Sequence, residues 1–431
     1  MAEILDLVRK NDKYRTETLN LQASENRLSP DVKEALSSDL ASRYSHIMPD
    51  GNNSYGGTSL FEQIYEKARS DVQSLYNVRY ADLRPTGGHI AVLAAIKSLT
   101  KKGDTIYAIG PEGGGYPGYQ EEYIPEMLSL RGRSIPYLPE QQEIDYDEMA
   151  SAARRNRPDL IVLGQSAFVK PYDLARISEM AEESGSRILY DGSHVMGLIA
   201  GERFQADAAK RADILVGSTH KSFFGPQGGL ILTNDLDLVP KIEKNLTWMT
   251  MDNMHPNRVA ALGIAAQEML KHGKKYAALV EKNSHNLGRA LDQHGIAVRF
   301  GPWFSKSHQV LLSPSGDKDF IAFSKHLESN GIIVDRDGRV GTSEISRMGF
   351  SGMDEVADLI SEAHAGHNNG QLNINVQKYK TQGKTKYSVR TRLFSGRISM
   401  SMDSHNWNFG RCMSDIFEGY EKRLSKIKER A

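Results

Sequence analysis

Four short apolar runs, each closed by small or polar residues, constrain this chain more than anything else in it. They are Thr105 to Ile109, Leu160 to Gly164, Arg187 to Asp191 and Asp213 to Val216. Each is too short for a helix, and helical segments such as Ala175 to Ser184 separate them. Buried strands alternating with helices are the pattern of a parallel sheet covered on both faces, and Gly229 to Thr233 returns as a further strand. The expectation is an α/β chain. It has a large three-layer αβα domain on a mostly parallel sheet and a smaller C-terminal α+β domain.

The expected divisions are an N-terminal helical arm over 1–40, the large domain over 41–245, connecting long helices over 246–290 and the small domain over 291–431. Ser29 as N-cap and Pro30 at the first helical position mark a helix start in the arm. Residues 44–57, rich in Gly, Asn and Pro, read as a loop. Helices are expected over 60–75, 90–99, 257–271, 276–293 and 354–365, and strands near 296–300, 309–312 and 332–334. A polar, basic excursion near 368–397 reads as solvated or partly mobile, and an amphipathic helix is expected from about Met413.

Acidic and basic residues balance at 54 each, so total charge gives no reason to expect nucleic acid or an anionic membrane as partner. A single cysteine, Cys412, excludes an internal disulfide framework and a cysteine-rich zinc site, and suits a cytoplasmic protein. The stretch Met1 to Arg15 lacks a signal-peptide apolar core, and no apolar run is long enough to span a bilayer.

Chemistry gathers where the apolar runs end. After Val216 come Gly217, Ser218, Thr219, His220 and Lys221, then a glycine-rich turn to Gly229. Ligands of open α/β sheets bind beyond the carboxyl ends of the strands, where partial desolvation turns a lysine into a usable amine nucleophile. Asp191 closes the third run, and Thr86-Gly87-Gly88-His89 opens an apolar helix with bare backbone N–H groups suited to a phosphate. Alone, each has an ordinary reading: a surface lysine, a capping aspartate, a tight turn. In this order they form the kit of a pyridoxal-phosphate enzyme, with a lysine imine, an aspartate for the pyridinium nitrogen and a helix start for the phosphate.

At this level the sequence resembles the serine hydroxymethyltransferase family, within the fold type I (aspartate aminotransferase-like) pyridoxal-phosphate enzymes. The matching pieces are Ala23-Ser24-Glu25-Asn26, Tyr55-Gly56-Gly57, Asp191-Gly192-Ser193-His194, Thr219-His220-Lys221 with Gly225 to Gly229, and Arg339-Val340-Gly341-Thr342. The resemblance implies Lys221 as the imine lysine, Asp191 as the pyridinium partner with His194 beside it, and Ser166 near the ring hydroxyl. Thr86, Gly87, Gly88, His89, Ser218 and His220 would bind the phosphate, with Tyr44 from a second subunit of a homodimer. Tyr116 stands where the family stacks a histidine on the ring. Ser24, Tyr55 and Arg339 would hold the carboxylate of a small amino acid substrate.

The family's acid–base glutamate is replaced by His46, and the segment that helps hold the pterin is almost absent between Val334 and Arg339. His46 or Glu25 is then the candidate base for the substrate hydroxyl, with a structural ion pair the ordinary reading of Glu25. The implied reaction makes or breaks the Cα–Cβ bond of a β-hydroxy amino acid, serine or threonine, with glycine as one fragment. Tetrahydrofolate as carbon carrier and direct aldehyde exchange, as in threonine aldolases and transaldolases, both stay open. Transamination, decarboxylation and non-catalytic pyridoxal binding are the alternatives on the same scaffold.

Overall fold

The computed structural model of the protein describes residues 2–48, 52–313, 320–364, 371–381, 384–395 and 398–406. Among these the largest sheet has seven strands. Their spatial order is Tyr80–Asp82, Gly229–Thr233, Ile214–Ser218, Arg187–Asp191, Leu160–Leu163, Thr105–Ala108, Arg131–Ser134. Only Gly229–Thr233 runs against its neighbours, so the sheet is mostly parallel.

Alternation along the strands builds the three layers. Tyr107, Ile161, Leu163, Ile188, Tyr190 and Leu215 join one core with the helices Ser59–Tyr76 and Leu174–Ser184. The intervening Ile106, Ala108, Leu160, Val162, Leu189 and Ile214 join the other, against the helix Gly88–Leu99. Burial on both faces is why these strands read as continuous apolar runs. From Thr105–Ala108 the chain first fills the sheet edge at Arg131–Ser134, then crosses to Leu160–Leu163 on the other side. That reversal opens a crevice at the carboxyl ends of these two strands.

A third core gathers Leu21, Val310, Leu327, Ile332, Val340 and Val356. Its short strands pair Leu19–Asn20 with Ile332–Ile333, and Gln309–Leu311 with Arg339–Gly341. The strand expected near 296–300 is reduced to a single bridge between Val298 and Leu312. The two long helices expected over 257–293 are one, Pro256–Gln293. Gly273 does not stop it: the glycine is buried where Gly201 approaches so closely that a Cβ on Gly201 would meet the Gly273 carbonyl. The helix enters two of the three cores, with Val259 and Ala277 in the first and Leu287 and Leu291 in the third.

The basic excursion also differs from expectation. Gln371–Thr381, Lys384–Ser395 and Ile398–Asn406 form a three-stranded antiparallel sheet. The period-two alternation that makes it is interleaved with polar residues and charge, as with Val389 and Leu393 around Arg390 and Arg392, and a count of charge masks it. The helix expected from Met413 lies outside the described residues. Among the described residues no helix is long and apolar enough to cross a membrane.

Candidate active site

Lys221 sits in the connection between the antiparallel strands Ile214–Ser218 and Gly229–Thr233, at the sheet's carboxyl end. The loop is tied to itself: Thr219 N–H donates to the Gly228 carbonyl at 3.1 Å, Thr219 Oγ1 to the Pro226 carbonyl at 2.6 Å, and Phe224 N–H to the Lys221 carbonyl at 3.1 Å. Asn26 Nδ2 also donates to the Lys221 carbonyl, at 2.9 Å, so the Ala-Ser-Glu-Asn segment fixes the lysine backbone from 195 residues away. Burial pushes the Lys221 amine below its ordinary value and the positive charge of Arg339 adds to this, while Asp191 and Asp335 pull the other way.

Asp191 ends its strand 8 % exposed. Its carboxylate accepts from Tyr119 Oη at 2.7 Å and from Ser193 N–H at 2.9 Å, which orients it beyond the strand end. Tyr116 packs edge-on against Tyr119 and meets His89 Nδ1 through its hydroxyl at 3.0 Å. Across the crevice, Gly115 bridges to Gln165, next to Ser166. The candidate ring-facing residues Tyr116 and Ser166 therefore flank the sheet's reversal point.

The helix Gly88–Leu99 starts beside Ser218 and Ser193, and a Cβ at Gly88 would collide with Ser218 Oγ. Twelve residues of helix thus present their N-terminal N–H groups to a cradle lined by small hydroxyl side chains. His220 leaves Nδ1 buried and without a hydrogen bond, and burial together with Lys221 holds the ring down to about 4, so it is neutral at neutral pH. A desolvated amine, an oriented carboxylate, a helix-start cradle and an unsatisfied ring nitrogen fit pyridoxal phosphate.

Arg339 comes from the strand Arg339–Gly341 beside the third core and closes the site. Its Nε faces Asp337 at 2.9 Å and Asp335 at 3.4 Å, and Nη1 donates to the Ser166 carbonyl at 2.8 Å. Gln309 locks His194. Its Oε1 accepts from Phe168 N–H at 2.8 Å, so Nε2 must donate to the Ser166 carbonyl and to His194 Nδ1, both at 2.9 Å. His194 therefore carries its proton on Nε2. Burial first, then the charge of Lys221, keeps it well below the usual histidine value. His308 lies parallel to His194, with ring centroids 5.5 Å apart, and donates from Nε2 to the Ala23 carbonyl at 3.1 Å.

Lys221, Asp191, His194, Ser166, Ser218, His220, Tyr116, Arg339 and the turn Thr86 to His89 thus lie around one crevice. Ser24 lies beside them, next to Ala23, whose N–H donates to Asp335 at 3.2 Å. Glu25 instead pairs with Arg15, its ordinary reading. Tyr44, His46 and Tyr55 form a separate group. Tyr44 packs on Tyr55 with ring centroids 4.6 Å apart and donates to Asp252; His46 stacks on Trp248 at 4.6 Å and turns Nδ1 toward Asp252 at 3.5 Å. Among the described residues no hydrogen bond, ion pair or ring contact joins this group to Lys221 of the same chain. Tyr119, Gln309 and Asp335 carried no signal in the sequence, and Asn26 only its place in the matched segment.

A family model described as serine hydroxymethyltransferase matches residues 1–318. The serine hydroxymethyltransferase of Methanosphaera stadtmanae is 35% identical over 377 residues, covering 83% of this chain and 89% of the relative. That of Methanothermobacter marburgensis is 36% identical over 377 residues, with 83% and 89% covered. The crystal structure of an L-threonine transaldolase from Pseudomonas fluorescens, in its internal aldimine state, superposes with a TM-score of 0.78 at 25% identity, covering 85% of this chain and 88% of that one. The protein is a pyridoxal-phosphate-dependent enzyme of the transferase or lyase type, and the chain belongs to the serine hydroxymethyltransferase family.

Proposed function

We propose that the protein makes or breaks the Cα–Cβ bond of serine or threonine, with glycine as the amino acid fragment. The observation that carries this reading is the partly buried Lys221 amine, lowered by desolvation and held in the fields of Asp191 and Arg339. Pyridoxal phosphate, when bound, supplies the electron sink for the pair left on Cα. Lys221 offers an amine biased toward its neutral, nucleophilic form. Asp191, oriented by Tyr119 and Ser193, would be the carboxylate partner of the pyridinium nitrogen. Arg339 presents a planar fork, braced by Asp337 and Ser166, that grips a carboxylate and fixes which Cα bond is broken. His194 donates only from Nε2 and stays uncharged. The single cysteine, Cys412, fits a cytoplasmic location.

The hydroxyl proton falls to His46, whose Nε2 is buried and without a hydrogen bond while Nδ1 faces Asp252. Its separation from Lys221 in the same chain supports a homodimer in which Tyr44, His46 and Tyr55 complete the partner's site. The exposed rings of Tyr44, Tyr55 and Trp248 are the apolar surface such a contact would cover. Mixing inactive Lys221→Ala and His46→Ala proteins under subunit exchange should restore activity to about a quarter of wild type, because half the dimers then carry one intact site. Activity that stays at zero would place His46 and Lys221 in one and the same subunit's site.

A second reading, direct aldehyde exchange without folate, is favoured by the transaldolase likeness and by histidine in place of the family's glutamate. The two separate in one titration. Glycine added to the cofactor-loaded protein should raise a long-wavelength visible band. Strong growth of that band with tetrahydrofolate marks hydroxymethyl transfer. Its loss with acetaldehyde, without response to the pterin, marks aldolase or transaldolase chemistry, and no response to glycine at all would overturn both.

A further inference from the structure

Two consecutive side chains where the strand Gln309–Leu311 begins decide which nitrogen of His194 carries a proton. His308 and Gln309 are both fully buried on a fixed backbone: Gln309 pairs with Gly341 in the strand ladder, and the His308 carbonyl accepts from Thr342 N–H at 2.9 Å. The Gln309 amide has one way round, because the Phe168 N–H only donates and the Ser166 carbonyl only accepts. The nitrogen so placed reaches His194 Nδ1. His308 acts in the same sense. Its Nε2 donates to the Ala23 carbonyl, so it bears a hydrogen, and it also lies 3.5 Å from His194 Nδ1. Two hydrogen-bearing nitrogens converge on Nδ1, which leaves no room for a proton there.

Charge around the ring points the same way. Lys221 and His220 face His194 from the lysine loop, Arg339 from the strand Arg339–Gly341 and His308 from the position before Gln309, and each opposes a positive imidazole. Asp191, three residues earlier, turns its carboxylate to Tyr119 and Ser193. Burial holds His308 itself down to about 3, so it stands beside His194 as a neutral ring. A neutral imidazole has one donor edge and one acceptor edge. Here the acceptor edge is taken, and the edge left for a ligand is a donor, suited to an anionic oxygen.

We propose that Gln309 is a positioning residue of the amino acid reaction: by donating to Nδ1 it keeps the His194 proton on Nε2, making His194 a permanent donor in the crevice and never a base. Gln309 acts through His194 rather than on the substrate. Its effect on turnover rests on the Cα–Cβ reading given above, whereas the proton position it sets does not. A carboxylate at position 309 would reverse the assignment, since a carboxylate only accepts and therefore calls for a proton on Nδ1.

The test is a long-range proton–nitrogen correlation spectrum of the full-length, cofactor-loaded protein with isotopically labelled histidine, recorded from about pH 5.5 to 9. His194 is identified among the 13 histidines by the signal lost in His194→Asn. Wild type should show the Nε2–H tautomer alone, unchanged across the range. In Gln309→Glu the ring should carry both protons at low pH and, as pH rises, lose the one on Nε2 while the carboxylate keeps the one on Nδ1. The donor is then present below the raised His194 value and lost above it. The variant's kcat/KM relative to wild type should accordingly fall by about 10- to 100-fold as pH rises through that value. A merely structural defect would lower it by the same factor at every pH. If Gln309→Glu does not fold, Gln309→Met, which neither donates nor accepts, should bring Nδ1–H into the spectrum. A wild-type proton on Nδ1, a wild-type His194 that titrates within the range, or a variant ratio independent of pH would each overturn the proposal. Absence of any turnover of serine, threonine or glycine by the wild type would instead overturn the Cα–Cβ reading, with the wild-type spectrum still deciding the proton position.

Discussion

Lys221→Ala is expected to lower kcat/KM for the amino acid reaction by about 10⁴-fold or more, on the order of 5 kcal/mol of barrier. Desolvation and the charge of Arg339 both favour loss of the proton from the amine at this position, and its backbone is pinned by Asn26 and Phe224. A neutral, positioned amine is what covalent capture of an aldehyde requires. Lys221→Arg should be just as inactive, since a guanidinium keeps its proton at any working pH. Both variants should also lose the cofactor's visible absorbance on gel filtration, a readout independent of turnover. Activity within about tenfold of wild type in either variant would remove Lys221 from the chemistry.

The largest effect on stability is expected from Asp82→Ala. Asp82 is fully buried, and Arg84 grips it through Nε at 3.0 Å, Nη2 at 2.5 Å and its backbone N–H at 2.9 Å. Tyr80 donates to the same carboxylate at 2.9 Å, and Glu243 shares Arg84 at 2.7 Å. Burial alone would raise this carboxyl, but the charge and hydrogen bonds of Arg84 win and hold it below its ordinary value. Removing it strands a buried guanidinium, at a cost of about 3–5 kcal/mol in denaturant or thermal unfolding. Because the folded-state value is depressed, the wild type has this stabilisation above the ordinary aspartate range and loses it as pH falls through the lowered value. The gap between wild type and variant should therefore close in acid. Arg84 directly precedes the turn Pro85 to His89, so the variant should bind pyridoxal phosphate more weakly as well. A deficit below about 1 kcal/mol would mean that Glu243 and Thr247 suffice to satisfy Arg84.

What the sequence made legible follows from locality. Lys221 and Asp191 stand out because a buried strand has to end before them, and the Gly87-Gly88 turn because a helix follows directly. Tyr119 and Gln309 were invisible for the opposite reason: Tyr119 meets Asp191 across 72 positions and Gln309 meets His194 across 115, and no periodicity records such a meeting. The helix break expected near Gly273 failed because a glycine can serve close packing as well as termination. Strands 371–406 were obscured since charges alternate with apolar residues there, and counting charge discards the alternation. Tyr44 and His46 were found by resemblance alone; their placement against Trp248 and Asp252 needed coordinates.

The helix Pro256–Gln293 works as a ruler. Arg258, near its start, donates to the carbonyls of Leu83 and Arg84 at the approach to the phosphate turn. Tyr276 donates to the Ser222 carbonyl beside Lys221, and Asn283 to Ser346 and the Phe350 carbonyl in the unit that carries Arg339. Tyr276 and Asn283 are seven residues apart, two turns and about 10 Å, so they lie on one stripe of the helix. Losing one residue between them would turn the arginine-bearing unit by about 100° relative to the lysine loop. In this stretch side chains can vary more freely than length, and the number of residues between two hydrogen bonds sets the distance between nucleophile and carboxylate grip.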